Sequence, residues 1–303
     1  MTIIEVTNKH SKGRVFRVDF KDERYYYQFI GTECKINASV TTILGRSMPT
    51  SPHLIDWMVT KGKVEAERIK NERGDYGTLM HLLCAKYSQK ELNISYDNIV
   101  SEVINFGNVE LYETESLQKD VLSWAQLCND YNLELIESEI TLTSQYGYAG
   151  TLDVVAMITK NNKKYRVLID LKSGKKGFWD NHIVQLKAYT DMWNENFPSM
   201  PIERFYNFAP KDWRKSPTYS FEDQTDKKET AMWVNVLAND KIKFEPRTTT
   251  VIVDGVIKPG IDISNNYKIV DIADYIREKY NLEQATSPFL KSKQIKVNDF
   301  LDF

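Results

Sequence analysis

Asp153, Asp170 and Lys172 are the residues whose types and spacing could hydrolyse a phosphodiester. Asp170 and Lys172 stand two apart at the end of the apolar run VLIDLK, so on a strand both project from one face. Asp153 lies near the start of an earlier apolar segment, TLDVVAMI, which a hairpin at Lys160-Asn161-Asn162-Lys163 would fold back beside Asp170. Two carboxylates near one point repel unless a cation neutralises them. Mg2+ or Mn2+ is the expected ion, because hard cations take oxygen ligands. Such an ion polarises a phosphoryl oxygen and lowers the pKa of bound water. The lysine would position that water or stabilise charge building on the phosphate. Gln185 and Tyr189 are four apart on the following helix and share a face. The glutamine would orient an acidic side chain or the water, and the tyrosine would bond a phosphate or pack under the site.

The elements that must position these groups read as a mixed α/β core. Arg14 to Ile30 alternates and is rich in aromatics, which predicts a hairpin. Ser39 to Leu44 follows, and a proline-containing turn leads into helical periodicity from His53 to about Lys90, with Leu54, Trp57, Met58, Val64 and Ile69 spaced for burial. Gly74 and Gly77 are expected to interrupt it, with a new helix from Gly77. A helix over Leu117 to Tyr131 precedes a strand from Leu133 to Ser144. Strands at Gly150 to Ile158 and Tyr165 to Leu171 then lead into an amphipathic helix from Asn181 to Phe197. Ile202 to Pro210 reads as a strand, Glu222 to Asp240 as a helix, and Ile269 to Tyr280 as a short helix after a β excursion. The expected organisation is an N-terminal β segment packed on the core (1–45), the core itself (46–243), an α+β extension (244–290) and a tail (291–303).

An Asp-x-Lys pair alone is most often a surface ion pair. Here it follows Gly147-Tyr148-Ala149-Gly150-Thr151-Leu152-Asp153 and precedes Gln185-x-x-x-Tyr189, and that order resembles the PD-(D/E)XK nuclease superfamily, specifically its RecB-like exonuclease branch. The resemblance spans roughly residues 35 to 210. It implies a restriction-endonuclease-like core, a mixed central sheet flanked by helices. It also implies that His81, in Gly77-Thr78-Leu79-Met80-His81, is a metal ligand beside Asp153, Asp170 and the Leu171 backbone carbonyl. Histidine ligation suits Mn2+ better than carboxylates alone do. An acidic residue on the strand before the glycine-rich turn is also implied: Glu139 fits best, with Glu137 as the fallback. The segment Ser39-Val40-Thr41-Thr42, with Trp57 downstream, is similar to the opening of mitochondrial and phage members of this branch, where Thr41 and Thr42 would shape the DNA passage. Some relatives hold an iron–sulfur cluster through cysteines near the C-terminus. No cysteine follows Cys128 here, so no cluster is expected, and Cys34, Cys84 and Cys128 read as small buried hydrophobes.

Beyond the active strand, Lys175 and Lys176 could meet phosphates and Trp179 could stack on an unpaired base. The spacing in SGKK is not that of a phosphate-binding Walker loop. The tail, with Gln294, Val297, Phe300, Leu301 and Phe303, resembles a sliding-clamp-binding peptide. A net charge of −2 confines nucleic-acid contact to a local cleft. The N-terminal MTIIEVTNKHSKGR lacks a signal-peptide apolar stretch, and no run is long enough to cross a membrane, so a cytoplasmic protein is expected, in the host cytoplasm if phage-encoded. The expected function is a metal-dependent DNA exonuclease acting on single-stranded or frayed ends in phage-type replication, recombination or degradation. The alternatives are a structure-specific or restriction-like endonuclease and a non-catalytic, clamp-docked DNA-binding adaptor.

Overall fold

A computed structural model describes residues 2–19, 23–174, 177–244, 247–253, 256–264, 267–270 and 272–282. Lys175, Lys176 and the tail residues Gln294, Val297, Phe300, Leu301 and Phe303 lie outside the described residues. The architecture is α/β: a mixed sheet of many strands flanked by helices on both faces.

The chain opens with β1 (Thr2–Glu5), β2 (Arg14–Asp19), β3 (Arg24–Ile30) and β4 (Glu33–Ser39), an antiparallel series. Helices α1 (Val40–Ser47), α2 (Pro52–Lys61), α3 (Lys63–Ser88), α4 (Tyr96–Phe106) and α5 (Thr114–Asp130) follow. Then come β5 (Glu134–Thr143), β6 (Tyr148–Lys160), β7 (Lys163–Leu171), α6 (Asp180–Asn196), β8 (Arg204–Pro210), β9 (Tyr219–Asp223) and α7 (Met232–Phe244). A separate antiparallel sheet of β10 (Arg247–Val253), β11 (Val256–Ser264) and β12 (Tyr267–Val270) precedes α8 (Ile272–Lys279).

The main sheet runs β1-β2-β3-β4-β6-β7-β8-β9, with β5 paired to β6. The N-terminal strands therefore continue the central sheet, because β4 joins β6 in parallel at Ala38↔Tyr148 and Ser39↔Ala149. The β6–β7 hairpin closes at Asn161 and Asn162, both at positive φ (51° and 59°). That is the primed turn whose twist matches the flanking strands, and asparagine tolerates it. One face of the sheet buries Val155, Leu168, Leu186, Tyr189 and Trp193 under α1, α6 and α7. The other buries Val154, Ile169, Leu83, Leu117 and Trp124 under α3, α4 and α5. Alternate residues of β6 and β7 thus go to opposite cores, which is why both strands are almost continuously apolar.

Ser39 ends β4 and caps helix α1, its side chain accepting from the Thr42 amide, so Ser39 to Leu44 is a β-to-α connection. Several local expectations are corrected. Gly74 and Gly77 do not interrupt α3, which runs unbroken through both. A Cβ at Gly77 would sit 3.1 Å from Ser173 Oγ, so this glycine serves a close approach to the loop after β7 rather than a helix break. Tyr219–Asp223 is a strand, and regular α-helix begins only at Met232, because pairing with β8 takes the segment first. Helix α2 buries none of its residues, and Leu54, Met58 and Val64 stay exposed; its apolar spacing meets no sheet. Cys84 is buried, whereas Cys34 and Cys128 are partly buried against the two cores. Among the described residues no helix is long and apolar enough to cross a membrane.

Candidate active site

Asp153 and Asp170 face each other across the β6–β7 pair, one step beyond its last registered partners, Val154↔Ile169. Asp153 Oδ2 accepts from the Leu171 amide at 2.7 Å. On its other side, Oδ1 lies 3.5 Å from His81 Nδ1. His81 reaches it from α3, one turn after Gly77 and on the same helix face. Glu139 joins from β5. Single ligand atoms of His81, Glu139 and Asp153 all lie within 4.8 Å of one another. Glu137, the fallback, is drawn away to Lys9 and His10 at 2.6 and 3.0 Å.

Glu139 has φ of +50° in the middle of a strand, where the other non-glycine residues at positive φ sit in turns or loops. Such a conformation is costly for a residue with a Cβ and persists only where its surroundings impose it. Here it delivers the carboxylate to the histidine and Asp153.

Asp170 is 2% exposed. Its Oδ2 accepts from Lys172 Nζ at 2.8 Å and from Asn207 Nδ2 at 2.9 Å. Asn207 lies directly beside Asp170 on β8 and is itself fully buried. Lys172 Nζ also donates to Gln185 Oε1 at 3.1 Å, and Gln185 Nε2 donates to the Tyr189 hydroxyl at 3.3 Å. Gln185 therefore orients the lysine rather than a carboxylate or a water. The Tyr189 ring packs under the site against Gly150, where a Cβ would fall 2.5 Å from Tyr189 Cε1.

The electrostatics follow from crowding. Burial, with Asp153 adding to it, pushes Glu139 up to about 7. Asp170 is raised to about 6, chiefly by burial, against the pull of Lys172. Burial works against a charge on His81, but Asp153 and Glu139 outweigh it and hold its pKa up at about 9. Burial would raise Asp153 too; His81, Lys172 and the Leu171 amide more than offset that and hold it below the usual carboxylate value. His182 is driven down to about 3 by burial and by Lys172, so it stays neutral beside the lysine. Its Nδ1 accepts from the Trp179 amide at 3.3 Å at the start of α6.

The remaining expected contacts are more dispersed. Thr42 is buried and its hydroxyl is committed to Ser39 and to the Arg24 backbone, which leaves Thr41 as the exposed member of that pair. Trp179 is about half exposed at the N-cap of α6. Asn207 and His182 were not singled out from sequence. The signal for Asn207 is one polar residue in the central apolar strand RFYNFAP. His182 carries no such signal, since i+3 from a tryptophan is an ordinary helical position.

No family model matches the chain, and no curated protein matches it. Among solved structures the chain is similar to one titled "Crystal structure of SSO0001", at 15% sequence identity over 60% of this chain and 87% of that one, with a TM-score of 0.23. The chemistry of the site therefore rests on this chain's own residues.

Proposed function

We propose that this protein is a Mg2+- or Mn2+-dependent deoxyribonuclease of the RecB-like PD-(D/E)XK type, an exonuclease taking single-stranded or frayed DNA ends in phage-type replication, recombination or degradation. The observation that carries this reading is the convergence of His81, Glu139 and Asp153 within 4.8 Å, beside a buried Asp170 that holds Lys172 at 2.8 Å.

The donor set fits a divalent cation. Glu139 and Asp170 both sit above their ordinary carboxylate values, chiefly through burial, with the Asp153 charge adding to it. Oxygen donors with one imidazole suit Mg2+ and better still Mn2+. His81, Glu139 and Asp153 would hold the ion, with Asp170 and the Leu171 carbonyl completing the set. When bound, such a cation supplies a polarised phosphoryl oxygen and an acidified water.

The chain's own groups do the rest. The Leu171 amide fixes one Asp153 oxygen and leaves the other facing His81. Asn207 fixes the Asp170 carboxylate. Gln185 and Asp170 together hold the Lys172 ammonium, so a positive charge stands ready where charge develops on a phosphate oxygen, with little reorganisation. Neutral His182 adds no competing charge beside that lysine.

The test is degradation of end-labelled linear DNA, duplex and single-stranded, in Mg2+ and in Mn2+, with closed circular DNA as control. Wild type should release labelled nucleotides from linear substrates and spare the circle, while Asp170→Asn and Lys172→Met lose activity with folding intact. Wild-type protein that leaves every substrate whole in both metals refutes the reading. Cutting of the closed circle makes the enzyme an endonuclease.

A further inference from the structure

A cavity of about 440 Å3 opens on the same sheet face as Asp170, bounded by Phe178, Asp180 and Ile183 from the start of α6 and by Glu222, Gln224 and the turn 226–229 beyond β9. Its place relative to the candidate active site follows from the strand register. Asp170 pairs with Asn207 on β8, and Asn207 pairs with Glu222 on β9. The three share a face, so Glu222 lies two strand spacings of ~4.8 Å from Asp170. On the helix side, Phe178 sits edge-on to His182 at 6.5 Å, and His182 feels the Lys172 charge.

The lining carries a chemical demand. Gln224 is 1% exposed, and neither its Nε2 nor its Oε1 has a hydrogen-bond partner among the described residues. A buried amide with neither end satisfied is costly, and one in the wall of a cavity has a ligand or water to meet it. Phe178 and Ile183 offer an apolar wall for a flat ring. The Gln224 amide offers donors and an acceptor, the Asp180, Glu222, Asp226 and Glu229 carboxylates only accept, and Lys227 and Lys228 only donate. The carboxylates outnumber the two ammonium groups, which disfavours a phosphate. The aromatic wall and the volume exceed what a bare cation needs. An unpaired nucleobase bearing an exocyclic amino group satisfies all of it, because carboxylates accept from such an amine and an amide reads a donor–acceptor edge.

We propose that this cavity takes an unpaired base of the DNA strand held in the active site, and prefers bases with an amino group (cytosine, adenine, guanine) over thymine. The inference rests on the nuclease reading and adds to it a subsite for the strand. A base two strands from Asp170 would set which phosphate lies at the lysine.

The experiment uses the full chain with 5′-labelled oligo(dC) and oligo(dT), two pyrimidine strands of equal length, at pH 8 with Ca2+ in place of Mg2+ to hold back cleavage. Fluorescence anisotropy should show oligo(dC) binding about tenfold more tightly than oligo(dT), the discrimination of one good base-edge contact. Gln224→Leu should keep or raise the melting temperature, since it removes an unsatisfied buried amide, and should bring the two affinities together. Glu222→Gln, at an exposed position, gives the same reading if the leucine variant fails to fold. Equal wild-type affinity for the two strands overturns the proposal, as does a folded Gln224→Leu protein that keeps the preference. DNA cut in Mg2+ without base preference counts against the cavity alone. Absence of both binding and cutting removes the nuclease reading with it.

Discussion

Replacing Gly150 with alanine should disable the lysine through the tyrosine ring packed between them. A Cβ there would stand 2.5 Å from Tyr189 Cε1 and 3.2 Å from its Cζ and hydroxyl oxygen. Atoms do not approach that closely, so the ring or the strand must move. The ring is 5% exposed among Leu186, Trp193 and their neighbours, so it has little room. Overpacking of this kind costs about 1–3 kcal/mol. The disturbance also travels along a defined path: the Tyr189 hydroxyl accepts from Gln185, and Gln185 accepts from Lys172. Gly150→Ala should lower unfolding free energy by about 2 kcal/mol in urea titrations and reduce cleavage of end-labelled DNA at least tenfold. Tyr189→Leu removes the clash, so the double variant Gly150→Ala/Tyr189→Leu should recover most of the stability lost by Gly150→Ala alone, a coupling of about 1 kcal/mol or more. Additive losses in the double variant, or an alanine variant as stable and active as wild type, would refute the reasoning.

Other outcomes follow from the same geometry. Glu139→Gly should be more stable than Glu139→Ala by about 1 kcal/mol in urea unfolding, because glycine adopts φ of +50° without a Cβ penalty, yet both should be inactive. Asn207→Ala should shift the acidic limb of the pH–rate profile upward, since Asp170, already raised to about 6, loses a hydrogen bond that favours its charged form. Without divalent cation, His81 has a folded-state pKa of about 9 against the ordinary histidine value of 6.5. Its contribution to stability is therefore full below pH 6.5 and fades as pH rises through 9, so wild type should exceed His81→Gln in urea midpoint at pH 6 and lose that advantage above pH 9. A histidine must be neutral to ligate, so Mn2+ binding at pH 7.5 should release protons, visible as a buffer-dependent enthalpy in calorimetry.

The long, strongly patterned elements were readable from the residues alone. The β6–β7 hairpin lies where two apolar runs flank a two-asparagine turn, and α6 lies where its periodicity puts it. Boundaries failed where tertiary contacts outweighed local signal. Gly77 looks like a helix break in sequence, but its cause is Ser173, almost a hundred residues away. Glu222 sits in a segment that reads as helix, but pairing with Asn207 makes it strand. The candidate site was legible as an ordered set of polar residues, yet its internal wiring was not. That Gln185 holds Lys172, and that Asn207 holds Asp170, depends on which strands and helices become neighbours, and no local pattern encodes it.

The departures from ordinary folding preference are not scattered. A glycine in the middle of α3, a left-handed glutamate within β5, a glycine under an aromatic ring in β6, and a buried asparagine in β8 each weaken the element that contains them. Each one has a neighbour at the same place: Gly77 precedes His81 by one turn, Glu139 joins Asp153, Gly150 seats Tyr189, and Asn207 holds Asp170. A plain surface ion pair between Asp170 and Lys172 accounts for none of this, because such a pair sits in water and needs no supporting shell. Asp170 is 2% exposed, and stripping two charges of water costs more than their attraction returns unless further hydrogen bonds hold them. Asn207 and Gln185 are those further bonds. Local rules broken together around one buried carboxylate and one lysine are what a fold shows when position at that point matters more than stability.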